Sequence, residues 1–255
     1  MTSAPNTFSC PGTALADRVL DCFPRGAYAL SALLRLMNIV EDESVPTAAV
    51  ECRVQPRLRV NPGFVAAHAA TPERLLMLVM HELHHVLLGH TTLFPTPTPA
   101  HNFVFDAVIN GVISRMFSAP EYTSLLTGYY DAESFPKCLL RPPPGWPDRP
   151  QIAGGIITLE EPLRSRARDI HAALYSEAGA SYQEVFEILP KLLGKDAIGN
   201  IPLLGGHAED GAAKGGLEKR SPVLFDIVRS VVEQWPQPPH PIRGPRLASS
   251  SSTSR

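Results

Sequence analysis

Between Thr71 and Leu88 the chain reads Thr-Pro-Glu-Arg-Leu-Leu-Met-Leu-Val-Met-His-Glu-Leu-His-His-Val-Leu-Leu. Thr71-Pro72-Glu73 is a helix start: a hydroxyl cap, a proline where no hydrogen bond is lost, and a carboxylate at the positive end of the helix dipole. Leu75, Leu76, Leu78, Val79, Leu83, Val86, Leu87 and Leu88 then make the helix apolar over most of its girth. Such a helix has to run through the interior. It also carries His81, Glu82, His84 and His85, and polar groups taken inside must be given partners there. The fold is therefore constrained to bring complementary chemistry to the second half of this one helix.

On a helix, positions four apart lie within about 40° of each other, so His81 and His85 can offer two imidazoles to one ion. Neutral imidazole is a common zinc ligand, and a catalytic zinc takes three protein ligands and keeps its fourth position for water. Glu82 stands about 60° to 100° around from the pair, suited to take a proton from that water. Together the three residues make the H-E-x-x-H arrangement of zinc hydrolases. The plainer reading, two core histidines bonded to their neighbours, gives Glu82 no task.

A third ligand is expected from a second helix over about Asn102 to Phe117. Asn102, Asp106 and Asn110 are spaced by four and share one face, while Phe103, Val104, Val108, Val112 and Met116 supply apolar contacts elsewhere. Carboxylate oxygen is an accepted zinc ligand, which makes Asp106 the expected third one. Asn110, a turn further on, is placed to orient a liganding histidine through its other ring nitrogen. His90, after a helix stop expected at Gly89, and His101, at the end of a loop, remain alternatives for the third position. Glu41-Asp42-Glu43-Ser44 reads as a solvated turn.

The rest of the chain sets the frame. A net charge of -2 and a pI near 6.5 over 255 residues give no electrostatic case for nucleic acid or an anionic membrane as partner. The first residues lack the features of a signal peptide, and no run of about 18 apolar residues occurs, so a cytoplasmic location is expected. Cys10, Cys22, Cys52 and Cys138 form no C-x-x-C pair and read as free thiols. Residues 1–12 read as a flexible arm, 13–235 as a single domain and 236–255 as a disordered tail.

Within the domain, helical spacing covers Ala14 to Cys22 and Ala27 to Met37, broken at Pro24-Arg25-Gly26. Extended chain is expected over Ala48 to Val60, with Pro56 favouring an edge or a hairpin, followed by a turn at Asn61-Pro62-Gly63. Five prolines between Leu140 and Pro150 suggest a loop or irregular lid, with Gly154-Gly155 allowing movement. Helices from about Pro162 to Ser176 and from a capping box at Ser181 to Glu184 are expected to pair in a structural role. Tyr122, Tyr129 and Tyr130 lie in or near a short helical stretch; packing is their default reading, stabilisation of an oxyanion beside zinc is the alternative, and neither is assigned. His207 lies in a glycine-rich loop, and a last helix runs from about Pro222 to Gln234.

The pattern Thr47-Ala48-Ala49-Val50, Val60-Asn61-Pro62-Gly63-Phe64, His81-Glu82-Leu83-His84-His85 with Gly89-His90, and Asn102, Asp106, Ile109 and Asn110 resembles a bacterial metallopeptidase domain. In that family the domain often precedes a von Willebrand factor A-like domain. The resemblance covers roughly residues 45 to 115, with a weaker echo from Leu203 to His207. It implies a zincin-like fold with a core at about 45–117 and a helical extension at about 118–235. It also implies one zinc ion on His81, His85 and Asp106, Glu82 as base, and a peptide or protein substrate. A separate von Willebrand factor A-like protein or MoxR-type AAA+ ATPase is the partner it suggests, since the residues that follow leave no room for an A-like domain. Phe105 departs from the pattern, which usually has a small residue before the acidic position.

The expected architecture is thus α+β, mostly helical, with a small sheet against the His81 helix. The expected activity is zinc-dependent peptide hydrolysis. A zinc-binding adaptor that cleaves nothing is the alternative.

Overall fold

The computed structural model describes residues 14–23, 34–35, 37–52, 54–88, 90, 98–192 and 201–204, together with positions 222, 225, 226 and 229. The N-terminal arm, the break at Pro24-Arg25-Gly26, most of the second helix, Gly89, the His207 loop, the tail and most of the last helix lie outside the described residues.

The chain forms a mixed α+β structure organised around the helix that opens at Thr71. Helix α1 (Leu15–Asp21) comes first, then strands β1 (Asn38–Glu41), β2 (Ala48–Glu51) and β3 (Arg57–Val60). Helices α2 (Pro62–His68), α3 (Pro72–Leu87), α4 (Pro99–Met116) and α5 (Pro120–Tyr129) follow. A 3-10 turn (Lys137–Leu140), the short α6 (Gly154–Ile157), α7 (Leu163–Tyr175) and α8 (Tyr182–Leu192) complete the described part.

The sheet has the order β1-β3-β2. β1 runs parallel to β3 with Asn38 opposite Arg57, and β2 runs antiparallel to β3 with Ala48 opposite Val60. The hairpin expected around Pro56 is present, but β3 is the middle strand. Proline is tolerated because it stands just ahead of the strand, where its carbonyl accepts from the Asn38 N–H at 2.9 Å. β1 was not expected: Glu41, assigned to a solvated turn, ends this strand. Its four residues show neither helical spacing nor a buried face, so only the partner strand reveals it.

Asn61 opens a helix where a turn was expected. Its side-chain oxygen accepts from the Phe64 N–H at 3.1 Å and its amide donates to the Val45 carbonyl at 2.8 Å. With Pro62 in the first helical position, these bonds make an N-cap of the Asn-Pro-Gly sequence.

α3 begins as its sequence dictates: Thr71 Oγ1 accepts from the Arg74 N–H at 3.3 Å, with Pro72 in the first turn. Every residue from Leu75 to Val86 is buried. β2 and α1 pack against it, and α4 and α5 enclose it further. α4 starts at a Thr98–His101 capping box and packs on α3, α7 and α8. Gly111 permits the approach of α7, since a Cβ there would overlap the Leu174 carbonyl.

The proline-rich stretch after Leu140 is a loop of turns, one of the two forms expected of it. Trp146 Nε1 donates to the Tyr175 carbonyl at 2.9 Å, tying the loop to the end of α7, and within the loop Gln151 N donates to the Pro144 carbonyl at 2.8 Å. Gly155 is a close-packing position. A Cβ there would come within 2.7 Å of Phe135 N and Ser134 C. Among the described residues, Cys22, Cys52 and Cys138 are free thiols, and no helix is long and apolar enough to cross a membrane.

Candidate metal centre

α3 and α4 cross with their polar stripes facing each other. His81 and His85 come from one helix and Asp106 from the other, and their ligating atoms all lie within 4.8 Å of one another. His81 and Asp106 are fully buried and His85 nearly so. His85 Nε2 is 3.2 Å from His81 Nε2. Asp106 Oδ1 is 3.5 Å from His85 Nε2 and 3.7 Å from His81 Nε2. Four ligands at zinc-like bond lengths of about 2.0–2.1 Å in a tetrahedron stand roughly 3.3–3.4 Å apart. The spacing and the donor set, two imidazoles and a carboxylate, therefore fit a small metal ion without rearrangement of the helices.

The groups behind the three side chains fix their orientation. Asn110, also fully buried, donates its amide to the Leu140 carbonyl at 2.9 Å. That bond decides which way the amide faces, so Asn110 Oδ1 accepts from His81 Nδ1–H at 2.9 Å. Nε2 of His81 is thereby turned toward His85 and Asp106. A metal-binding imidazole is usually held in this way through its other nitrogen.

His85 is backed differently. Its Nδ1 lies 3.1 Å from Nδ1 of His90, and His90 Nε2 lies 2.7 Å from the Tyr182 hydroxyl at the start of α8. Burial holds the Tyr182 phenol well above its usual range, so the hydroxyl keeps its proton. Phe105 stacks on the His90 ring at 3.9 Å between centroids and 13° between planes. A small residue at 105 would leave His90 without that support.

Electrostatics favour a cation. Burial alone would push the His81 imidazole toward its neutral form, but the Asp106 carboxylate overrides this. With Glu82 and Asn110 adding to it, the His81 pKa rises from 6.5 to about 9. Glu82 is itself buried, one position along the helix from His81. His84 faces away: its Nδ1–H donates to the Met80 carbonyl at 2.7 Å, and burial pushes its pKa down to about 4. It is a neutral core histidine.

Of the residues singled out from sequence, the structure brings together His81, His85 and Asp106, with Asn110 behind His81. His90 stands behind His85 rather than in the ligand group. His101 is elsewhere, its Nδ1 2.7 Å from Thr98 Oγ1 and its ring stacked on Phe186. The sequence reading missed Tyr182, assigned to a structural hairpin, and left Tyr130 unassigned with packing as its default. Tyr130 is buried and its hydroxyl accepts from the Leu204 N–H at 2.8 Å. Tyr182 had one available signal, its place at the first position of a well-capped helix. Tyr130 had none, because its partner is 74 residues away.

No family model, curated protein or solved structure matches this chain. The case for the site rests on its own geometry.

Proposed function

We propose that the chain is a zinc-dependent metallopeptidase with a zincin-like arrangement of helix on sheet. The observation that supports it best is the buried His81, His85 and Asp106 group with Glu82 beside it on the same helix. Two imidazoles and one carboxylate form the kind of three-ligand set that zinc uses in hydrolytic sites. A zinc ion held there would supply Lewis acidity, bringing the pKa of water down to about 7 and polarising a carbonyl.

The chain's own groups have distinct tasks in this reading. Asn110 holds His81, and the His90–Tyr182 pair holds His85, so that both imidazoles present Nε2 inward. Glu82 takes a proton from water as the water attacks a peptide carbonyl, then passes that proton to the leaving amine. The closely packed walls of α3 and α4 keep bulk water away, which strengthens each of these interactions.

A reducing, cytoplasmic setting accords with the free thiols at Cys22, Cys52 and Cys138. A separate von Willebrand factor A-like protein or MoxR-type AAA+ ATPase is the partner proposed with this reading. The test has two parts. Metal content per chain is measured for the unaltered protein, His85→Ala and Asp106→Ala; one zinc per chain is expected, lost in both variants. Glu82→Gln is then expected to keep its zinc and lose about 10²- to 10⁴-fold in hydrolysis of a peptide library. Zinc retained with no hydrolysis by the unaltered protein would leave the adaptor reading.

A further inference from the structure

Leu204 is placed at the candidate metal centre by its main chain. Its N–H donates to the Tyr130 hydroxyl at 2.8 Å, and its carbonyl oxygen lies 3.0 Å from His81 Nε2. That nitrogen is the one turned toward His85 and Asp106. The described residues around Leu204, 201–204, form neither helix nor strand. Both polar groups of one amino acid are thus spent on side chains of the site, 123 residues away in the case of His81. The Leu204 side chain is fully buried in the core, Ile201 and Leu203 are partly covered, and Pro202 is exposed.

This is how a peptide would have to lie for its carbonyl to meet the centre. The segment offers a carbonyl to the ligand group, has its N–H received by a fixed hydroxyl, and buries one side chain. We propose that Ile201–Leu204 is an intramolecular occupant of a peptide-binding cleft, and that Tyr130 is the positioning residue that receives the main-chain N–H of any peptide that replaces it. The inference rests on the hydrolase reading only for what happens to the incoming peptide. The occupancy is a matter of binding.

The structure gives the cleft its selectivity. Leu204 fills an apolar recess, so the replacing peptide carries a leucine-sized aliphatic side chain at the residue whose carbonyl faces His81. Tyr130 is suited to its task because burial, with the Asp106 charge adding to it, holds its phenol far above the usual range. It stays a neutral hydroxyl able to accept from an amide. As long as the internal segment is bound, an external peptide competes with one held in the same chain, which raises the concentration needed to replace it.

The experiment measures binding of a fluorescein-labelled peptide of residues 201–206 to the zinc-loaded full chain by anisotropy, for the unaltered protein and Leu204→Asp. Leu204→Asp is expected to bind the peptide at least about tenfold more tightly, with zinc content unchanged. Equal binding by the two proteins, or loss of zinc from Leu204→Asp, would overturn the proposal and make the segment a structural support. A second measurement uses the unaltered chain alone, so that a folding defect in the variant leaves the question decidable. Unlabelled peptide at millimolar concentration is expected to speed hydrogen exchange in residues 201–204, and unchanged exchange would refute displacement. Peptide binding gained in Leu204→Asp without cleavage would refute the hydrolase reading and leave the occupancy standing.

Discussion

Replacing Asn110 with leucine removes two bonds without opening a large cavity, because the two side chains are close in size. One bond fixes the His81 ring and the other satisfies the Leu140 carbonyl, both at 2.9 Å and both out of contact with water. Each buried group left without its partner costs about 1–3 kcal/mol. Two such groups together cost about 2–6 kcal/mol. For a domain of this size that corresponds to a fall in Tm of roughly 4–24 °C. Zinc affinity is expected to drop about 10- to 100-fold, the usual loss when the group behind a liganding histidine is removed. Asn110→Asp separates the two effects. It keeps an acceptor for His81 Nδ1–H but sets a carboxylate against the Leu140 carbonyl. Stability is expected to fall, with zinc affinity kept within a few-fold. Chelator competition and thermal unfolding on the same samples measure both quantities. Unchanged zinc affinity in a folded Asn110→Leu protein would refute the claim that this bond orients His81.

Three further outcomes are expected. In the metal-free protein, the raised pKa of His81 adds stability that is fully present below pH 6.5 and lost as pH rises through about 9. Urea unfolding from pH 6 to 10 should show this decline, and zinc-loaded protein should not show it. Tyr182→Phe removes the hydroxyl 2.7 Å from His90 Nε2 and should lower zinc affinity about tenfold with one zinc still bound per chain. Its stability should fall by only about 1 kcal/mol, so equal affinity in a chelator titration would detach the His90 pair from the centre. Gly155→Ala forces a methyl to within 2.7 Å of backbone atoms of Ser134 and Phe135. It should cost about 1–3 kcal/mol in denaturant unfolding, whereas a neutral result would show that the 3-10 turn region yields.

The parts of this protein that could be read from sequence are those whose determinants are close together in the chain. Thr71-Pro72-Glu73 and the histidines one turn apart on α3 are written in a stretch of fewer than twenty residues. The polar stripe of α4 marks Asp106 and Asn110 through the same helical period. What could not be read depends on contacts between distant residues. β1 exists because β3 pairs with it, and nothing in Asn38–Glu41 announces that partner. Asn61 caps a helix because Val45 holds its amide, a long-range bond that turned an expected turn into α2. Tyr182 and Leu204 reach the centre from residues beyond the segment that carries the motif, and the close approach that Gly155 permits is to Ser134 and Phe135, which no local pattern links to it.

The three candidate ligands span only residues 81 to 106, two on α3 and one on α4. An ion bound there is a cross-link that closes a short loop between α3 and α4, the two helices on which the rest of the structure is stacked. Its binding energy is then also folding energy. By mass action, free zinc at a hundred times its dissociation constant would add about 2.7 kcal/mol to the native state. The steady-state amount of folded protein would therefore follow zinc supply, so that a metal-starved cell would lose the protein itself through turnover of unfolded chains.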